Sequence, residues 1–128
     1  MSDFNSKNNR AVWFDIPVAD LDRATNFYAK VLAIGVSKEK FNDFEFSVLH
    51  HQDGNGGCLV PHPDLISSTG GILVYLNANG RIRDAVAQVP EHGGKIVEEI
   101  HSIGPHGFRA VILDSEGNRV ALHSETEA

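Results

Sequence analysis

The sequence predicts an α+β domain built from two copies of one β-α-β-β-β unit. Three observations carry this reading. Two amphipathic helical stripes are each preceded by one β-rich run and followed by three. Glycine- and asparagine-rich turns fall at matching places in both halves. Matching elements lie about sixty residues apart, the mark of a long-period internal repeat. The chain has 128 residues, 41% hydrophobic and 22% charged, which suits one compact soluble domain. The predicted division is a loosely docked or disordered tail at 1–9, a first module at 10–62 and a second at 70–124.

The elements follow in order. Residues 11–18 (AVWFDIPV) are rich in β-formers, with Pro17 near the end, where a missing N–H does least harm. Asp20 is the N-cap of a helix over 21–32, whose Leu21, Ala24, Phe27, Tyr28, Val31 and Leu32 form one apolar stripe. Gly35 ends that pattern. Strands are predicted at 35–39, 44–51 and 57–61, the last two separated by the turn Asp53-Gly54-Asn55-Gly56. The second half repeats the order. A strand at 71–77 leads to a helix opening at Asn79 or Gly80, with Ile82, Ala85, Val86 and Val89 on one face. Pro90 kinks or shortens that helix, and Gly93-Gly94 ends it. Strands at 95–103, 108–114 and 119–124 complete the module, the last two joined across Ser115-Glu116-Gly117-Asn118.

Composition removes several function classes. Eleven Lys and Arg against seventeen Asp and Glu give a net charge of -6, and no basic cluster offers phosphate a site, so no nucleic-acid partner is expected. No apolar run approaches the roughly 20 residues needed to span a bilayer, so no membrane partner is expected either. The first ten residues lack the apolar core of a secretory signal, and a cytoplasmic location is expected. A single cysteine, Cys58, excludes an internal disulfide and a zinc cluster of several thiolates.

The residues Trp13-Phe14-Asp15-Ile16-Pro17-Val18-Ala19-Asp20-Leu21-Asp22-Arg23-Ala24, followed by Phe27-Tyr28 and Val31-Leu32, resemble the opening βα unit of the glyoxalase/bleomycin-resistance (vicinal oxygen chelate) superfamily. Asp114-Ser115-Glu116-Gly117-Asn118, with the run Arg119 to Ser124, resembles its closing D-x-x-G-N hairpin, and Gly57-Cys58-Leu59-Val60 the matching end of the first module. The nearest branch is one of small proteins related to lactoylglutathione lyase. The resemblance implies that the eight strands form a cupped mixed sheet, with helices on its outer face and a ligand inside, and that the chain is a homodimer.

Strand parity assigns faces within that frame. Phe14, Ile16 and Val18 face the helices, leaving Trp13 and Asp15 to the cup. Cys58 and Val60 face outward and Leu59 inward. Ile72, Val74 and Leu76 face outward, leaving Gly71, Leu73 and Tyr75 inward. Val120 and Leu122 face outward, leaving Arg119, Ala121 and His123 inward.

Metal-dependent members of the family hold a divalent ion with His and Glu from the first and last strand of each module. Carried over, those places fall on Trp13, Leu59, Gly71 and Ala121, none of which offers a metal a donor atom. A one-residue slip in the first closing strand would bring in Cys58 instead. No metal and no other cofactor is therefore expected. The seven histidines do not form a replacement: His50 and His51 are neighbours on opposite faces of a strand, and His62, His92 and His101 are expected at solvated positions.

Asp15, Tyr75 and His123 are the candidate catalytic groups, for proton transfer without a metal. Trp13, Leu59, Gly71, Leu73, Arg119 and Ala121 are candidate ligand contacts on the cup wall, joined by His106 and Phe108 of the Gly-Pro-His-Gly-Phe segment. Beside an accessory or interaction role on a fold that has lost its chemistry, two functions remain open. One is binding of a small, largely apolar or aromatic molecule. The other is a metal-independent lyase, isomerase or cofactor-free oxygenase, distinct from a true lactoylglutathione lyase.

Overall fold

The computed structural model describes residues 8–128; the expectation for the tail falls largely outside the described residues. The first module contains β1 (Asp15–Val18), α1 (Leu21–Leu32), β2 (Val36–Phe41), β3 (Phe44–Leu49) and β4 (Cys58–Pro61). The second contains β5 (Tyr75–Asn77), α2 (Ile82–Glu91), β6 (Lys95–Ser102), β7 (Phe108–Leu113) and β8 (Arg119–Ser124). Short 3-10 turns at Pro63–Leu65 and Gly104–His106 were not expected from sequence. The fold is α+β, two βαβββ modules as predicted. The eight strands are divided between two four-stranded mixed sheets, ordered β1-β4-β3-β2 and β5-β8-β7-β6.

In each sheet the first strand pairs parallel with the last and the remaining pairs are antiparallel. A parallel pair needs a crossover, and the helix of each module supplies it. β1 and β5 are shorter than predicted. Each is an edge strand with one partner, and its ladder begins with Asp15 opposite Cys58 in the first module and Tyr75 opposite Ala121 in the second.

α1 has its predicted bounds. The Asp20 side chain accepts the Arg23 amide at 3.0 Å, and Ala33 in the left-handed region, φ 54°, closes the helix. α2 starts at Ile82, later than predicted, and Pro90 lies one residue from its end. The stripes of both helices, Ala24, Phe27, Tyr28, Val31 and Leu32 with Ile82, Ala85, Val86 and Val89, enter one core shared by the two modules.

The family-like turn at 114–118 fastens the modules together. The buried Tyr28 hydroxyl of α1 donates to Asp114 Oδ2 at 2.6 Å. Asp114 also accepts the Glu116 and Asn118 amides and the Asn118 side-chain amide. Asn118 Nδ2 reaches the Pro17 carbonyl at 2.6 Å. Glu116 accepts from the amides of Ala19 and Asp20 and from Arg23, whose Nε lies 2.7 Å away. Burial pushes the Glu116 carboxyl upward, but the Arg23 guanidinium, those amides and the Ser115 hydroxyl outweigh it and hold it at about 2.

Three parity expectations require correction. Leu59 is fully buried, pairs with Ile16 and Ser47, and belongs to the core under α1; Ser47 itself touches Thr25 of that helix at 2.7 Å. Cys58 therefore shares the cup face with Asp15, its Sγ 3.2 Å from Asp15 Oδ1. The slip noted from sequence is the arrangement present. Cys58, Leu59 and Val60 are all apolar and all buried, so only pairing with β1 sets which way they point. Ile72 was expected beneath the helices but is 90% exposed, because it precedes β5. Phe108 was expected on the cup wall. It lies in β7 on the side of Ala110 and Ile112 and packs against the core.

Candidate functional site

The faces opposite the helices are chemically unlike. On the first sheet, the face of Asp15 and Cys58 continues through Val48 to Ser37, and through Phe46, Phe44 and Phe41. Phe44 stacks on Phe46 with ring centroids 6.0 Å apart and also lies beside His62. Phe41 and Phe44 are exposed. This face is an aromatic wall with two carboxylates, Asp15 at its β1 edge and Glu39 opposite Phe46.

The second sheet's face is polar. Asn77, His123, Arg109 and His101 form one cross-strand row over β5, β8, β7 and β6. Tyr75, Ala121, Val111 and Glu98 form the next. Arg109 Nη1 donates to the Tyr75 hydroxyl oxygen at 2.6 Å, and Arg109 Nε donates to His101 Nε2 at 3.1 Å. Ala121 and Val111 beneath them are fully buried, so Ala121 is floor beneath side chains rather than open wall.

Three clefts adjoin these faces. Tyr75, Ile103, His106 and His123 line a cavity of about 490 Å3. The Tyr75 and His123 rings lie 6.2 Å apart, and His123 Nε2 donates to the His106 carbonyl at 2.7 Å. Gly107 keeps that loop close: its φ is +99°, and a Cβ there would stand 2.5 Å from the Ser124 carbonyl. A second cleft, about 220 Å3, gathers Asp15, Gly71 and Arg119 with Pro17 and Asn118. The third, about 730 Å3, runs between Phe14, His51 and the β3–β4 loop on one side and Tyr75, Asn77 and Arg81 on the other.

The structure thus brings Tyr75, His123 and His106 together and places Asp15 in a different cleft, with Gly71 and Arg119. Trp13 packs edge-on against His51, centroids 5.7 Å apart. Leu73 is half-buried just before β5. Sequence reasoning missed Arg109 and Glu98; His101, expected as an exposed strand residue, does lie in a strand, and its arginine partner was not foreseen. The alternation of Phe108-Arg109-Ala110-Val111-Ile112 could have flagged Arg109, because an arginine opposite an apolar row must face the cup.

The family's metal place finds few donors here. Trp13, Gly71 and Ala121 have none to offer, and the Cys58 thiol does not substitute. Burial, and the neighbouring Asp15 carboxylate, push it up to about 11, its S–H donates to Asp15 Oδ1, and one sulfur among four places does not make a metal site. Among the described residues, no group of three or more His, Cys, Asp or Glu side chains could hold a metal ion. The residues present do not fit the family's ion.

The model of the Glyoxalase/Bleomycin resistance protein/Dioxygenase superfamily matches residues 10–122. The chain belongs to that superfamily. No curated protein sequence matches it. Among solved structures, a hypothetical protein, SA1046, from S. aureus superposes with a TM-score of 0.70 at 18% identity, covering 91% of this chain and 94% of the other. The fosfomycin resistance protein FosX from Listeria monocytogenes gives 0.68 at 10% identity, covering 91% and 93%. TnmS3, an antibiotic binding protein from Streptomyces sp. CB03234, gives 0.65 at 19% identity, covering 88% and 92%. At such identities these structures establish a common fold. Among the described residues, no helix is long and apolar enough to cross a membrane.

Proposed function

We propose that this superfamily member binds a small, largely apolar or aromatic molecule in the cup between its modules, in the cytoplasm and as a homodimer, with no ion at the family's metal place. The observation that carries the reading is the chemistry of the two sheets' helix-free faces. Phe41, Phe44 and Phe46 present an aromatic wall on one sheet, and Tyr75 and His123 border a cavity on the other. Apolar walls with a few placed polar groups are the usual make-up of a small-molecule site. Similarity in fold to an antibiotic binding protein supports it. An open aromatic sheet face is also what a symmetric partner covers.

Metal-independent proton transfer is the second reading. The Tyr75 hydroxyl favours it, since Arg109 donates to its oxygen. Asp15, in another cleft, weakens the three-residue form of that reading.

Thermal melting with a panel of planar aromatic compounds, with and without chelator, tests the proposal. Binding compounds raise the melting temperature by mass action, and chelator should leave that rise intact. A rise that needs a divalent ion and disappears with chelator would reject the metal-free reading. Sedimentation showing a single 14.0 kDa species at micromolar concentration would reject the dimer.

A further inference from the structure

Arg109 is held in an unusual way. An arginine N–H only donates, so the 2.6 Å contact from Nη1 makes the Tyr75 oxygen the acceptor. The phenol's own hydrogen must then find another partner. Tyr75 is 47% exposed and borders the cavity with Ile103, His106 and His123, so that hydrogen is available to a bound molecule.

The other side of the guanidinium is fixed as well. Arg109 Nε donates to His101 Nε2, which is therefore the lone-pair nitrogen of that ring. His101 Nδ1 lies 2.8 Å from the Glu99 carbonyl and carries the hydrogen. His101 meets Arg109 as an uncharged acceptor. Among the described residues, the one carboxylate within 4 Å of the guanidinium is Glu98, whose Oε1 is 3.8 Å from Nη2, beyond hydrogen-bond range. The Arg109 side chain is only 25% exposed. A largely buried cation thus has neutral groups at hydrogen-bond distance, and such a charge favours a nearby anion.

The same face collects positive and titratable groups against the sign of the chain. Arg109, Arg119 and Lys95 share it by strand register with His101, His123 and a single carboxylate, Glu98, in a chain of net charge -6. A local field of that sign draws anionic ligands.

We propose that the molecule taken up by the cup is an aromatic acid, its carboxylate, phenolate or sulfonate oxygen bound by the Tyr75 hydroxyl beside the cavity and stabilised by Arg109 behind it. This rests on the reading that the cup binds an aromatic small molecule, and adds the charge of that molecule. Tyr75 is the contacting group. Arg109 is a positioning residue that polarises the phenol, and His101 and Glu98 hold its guanidinium.

Two fluorescent probes separate charge from aromatic area. 1-Anilinonaphthalene-8-sulfonate carries a sulfonate; N-phenyl-1-naphthylamine has the same rings without it. The wild-type chain should bind the sulfonate about tenfold tighter. Tyr75→Phe, which deletes one oxygen, and Arg109→Gln should each weaken the sulfonate by about tenfold and leave the neutral probe within about twofold. Arg109→Lys should recover part of the loss, because it keeps the charge but not the fork. Melting curves of each variant confirm folding, and Tyr75→Phe stands alone if Arg109→Gln does not fold. Equal wild-type affinity for both probes, or equal weakening of both by Tyr75→Phe, overturns the proposal while leaving the cup intact. Binding of neither probe overturns the cup reading and this inference together.

Discussion

The β7–β8 hairpin has two polar ends with opposite characters. At its turn, Asp114 accepts four hydrogen bonds and is almost fully buried. Glu116 is ringed by Arg23 and the β1–α1 amides. At the far end, Arg109 and His123 lie in a partly open face beside a cavity. The first end is saturated from within the chain, which makes it a fastening between modules. The second keeps the Tyr75 hydrogen free and has Glu98 no nearer to Arg109 than 3.8 Å, without a hydrogen bond, which makes it a place for something else to bind. Both ends are rich in charge, and the difference lies in whether the chain itself completes the bonding.

That contrast can be broken in graded steps. Asp114→Ala should have the largest effect. It leaves the buried Tyr28 hydroxyl and three other donors without their acceptor, at a cost of about 3–5 kcal/mol. Thermal melting should fall by roughly 10 °C or more. Retention of the wild-type melting temperature would show that the turn does not fasten the modules.

Glu116→Gln comes next, at about 1–3 kcal/mol near neutral pH. Its pH signature is more telling. The carboxyl sits at about 2 in the folded protein, below its ordinary 4.5. Its stabilisation is complete above pH 4.5 and is lost as pH falls toward 2. Acid titrations of stability should therefore be flatter in that window for the variant than for the wild type. Parallel curves would mean that Glu116 titrates normally.

Tyr28→Phe removes one of the four bonds to Asp114 and should cost about 1 kcal/mol in chemical denaturation. Burial, then the nearby Asp114 charge, raise the Tyr28 phenol well above its ordinary 10. The wild type should thus lose stability as pH rises past 10, and the variant should lose less.

Arg109→Gln should have the smallest effect on stability, within about 1 kcal/mol, since its partners stay reachable by water. Its effect belongs to ligand affinity. A large loss of stability there, without change in anion selectivity, would make the open end structural like the other.

Legibility in the sequence follows the same division. The bounds of α1 were readable because an N-cap, an apolar stripe and a stop agree between Asp20 and Gly35. The face of Ile16 and Val18 was readable because polar and apolar residues alternate there. In β4 no such contrast exists: Cys58, Leu59 and Val60 look alike, and the predicted face of Leu59 was wrong. Tyr75 and His123 were named from parity and do share a cavity. Asp15 was named by the same rule, yet borders another cleft, because parity gives a face and not a neighbour.

Local pattern by itself determined the two βαβββ modules, the helix faces and the absence of family ligands at Trp13, Gly71 and Ala121. Each follows from residues near one another in the chain, where backbone periodicity fixes direction. Tertiary structure alone decided that Cys58 faces Asp15, that the turn at 114–118 grips α1 across the module boundary, and that Arg109 stands between Tyr75 and His101. Those depend on strand register and on contacts between residues up to 101 positions apart, and nothing in a local pattern encodes which distant backbone a strand will lie beside.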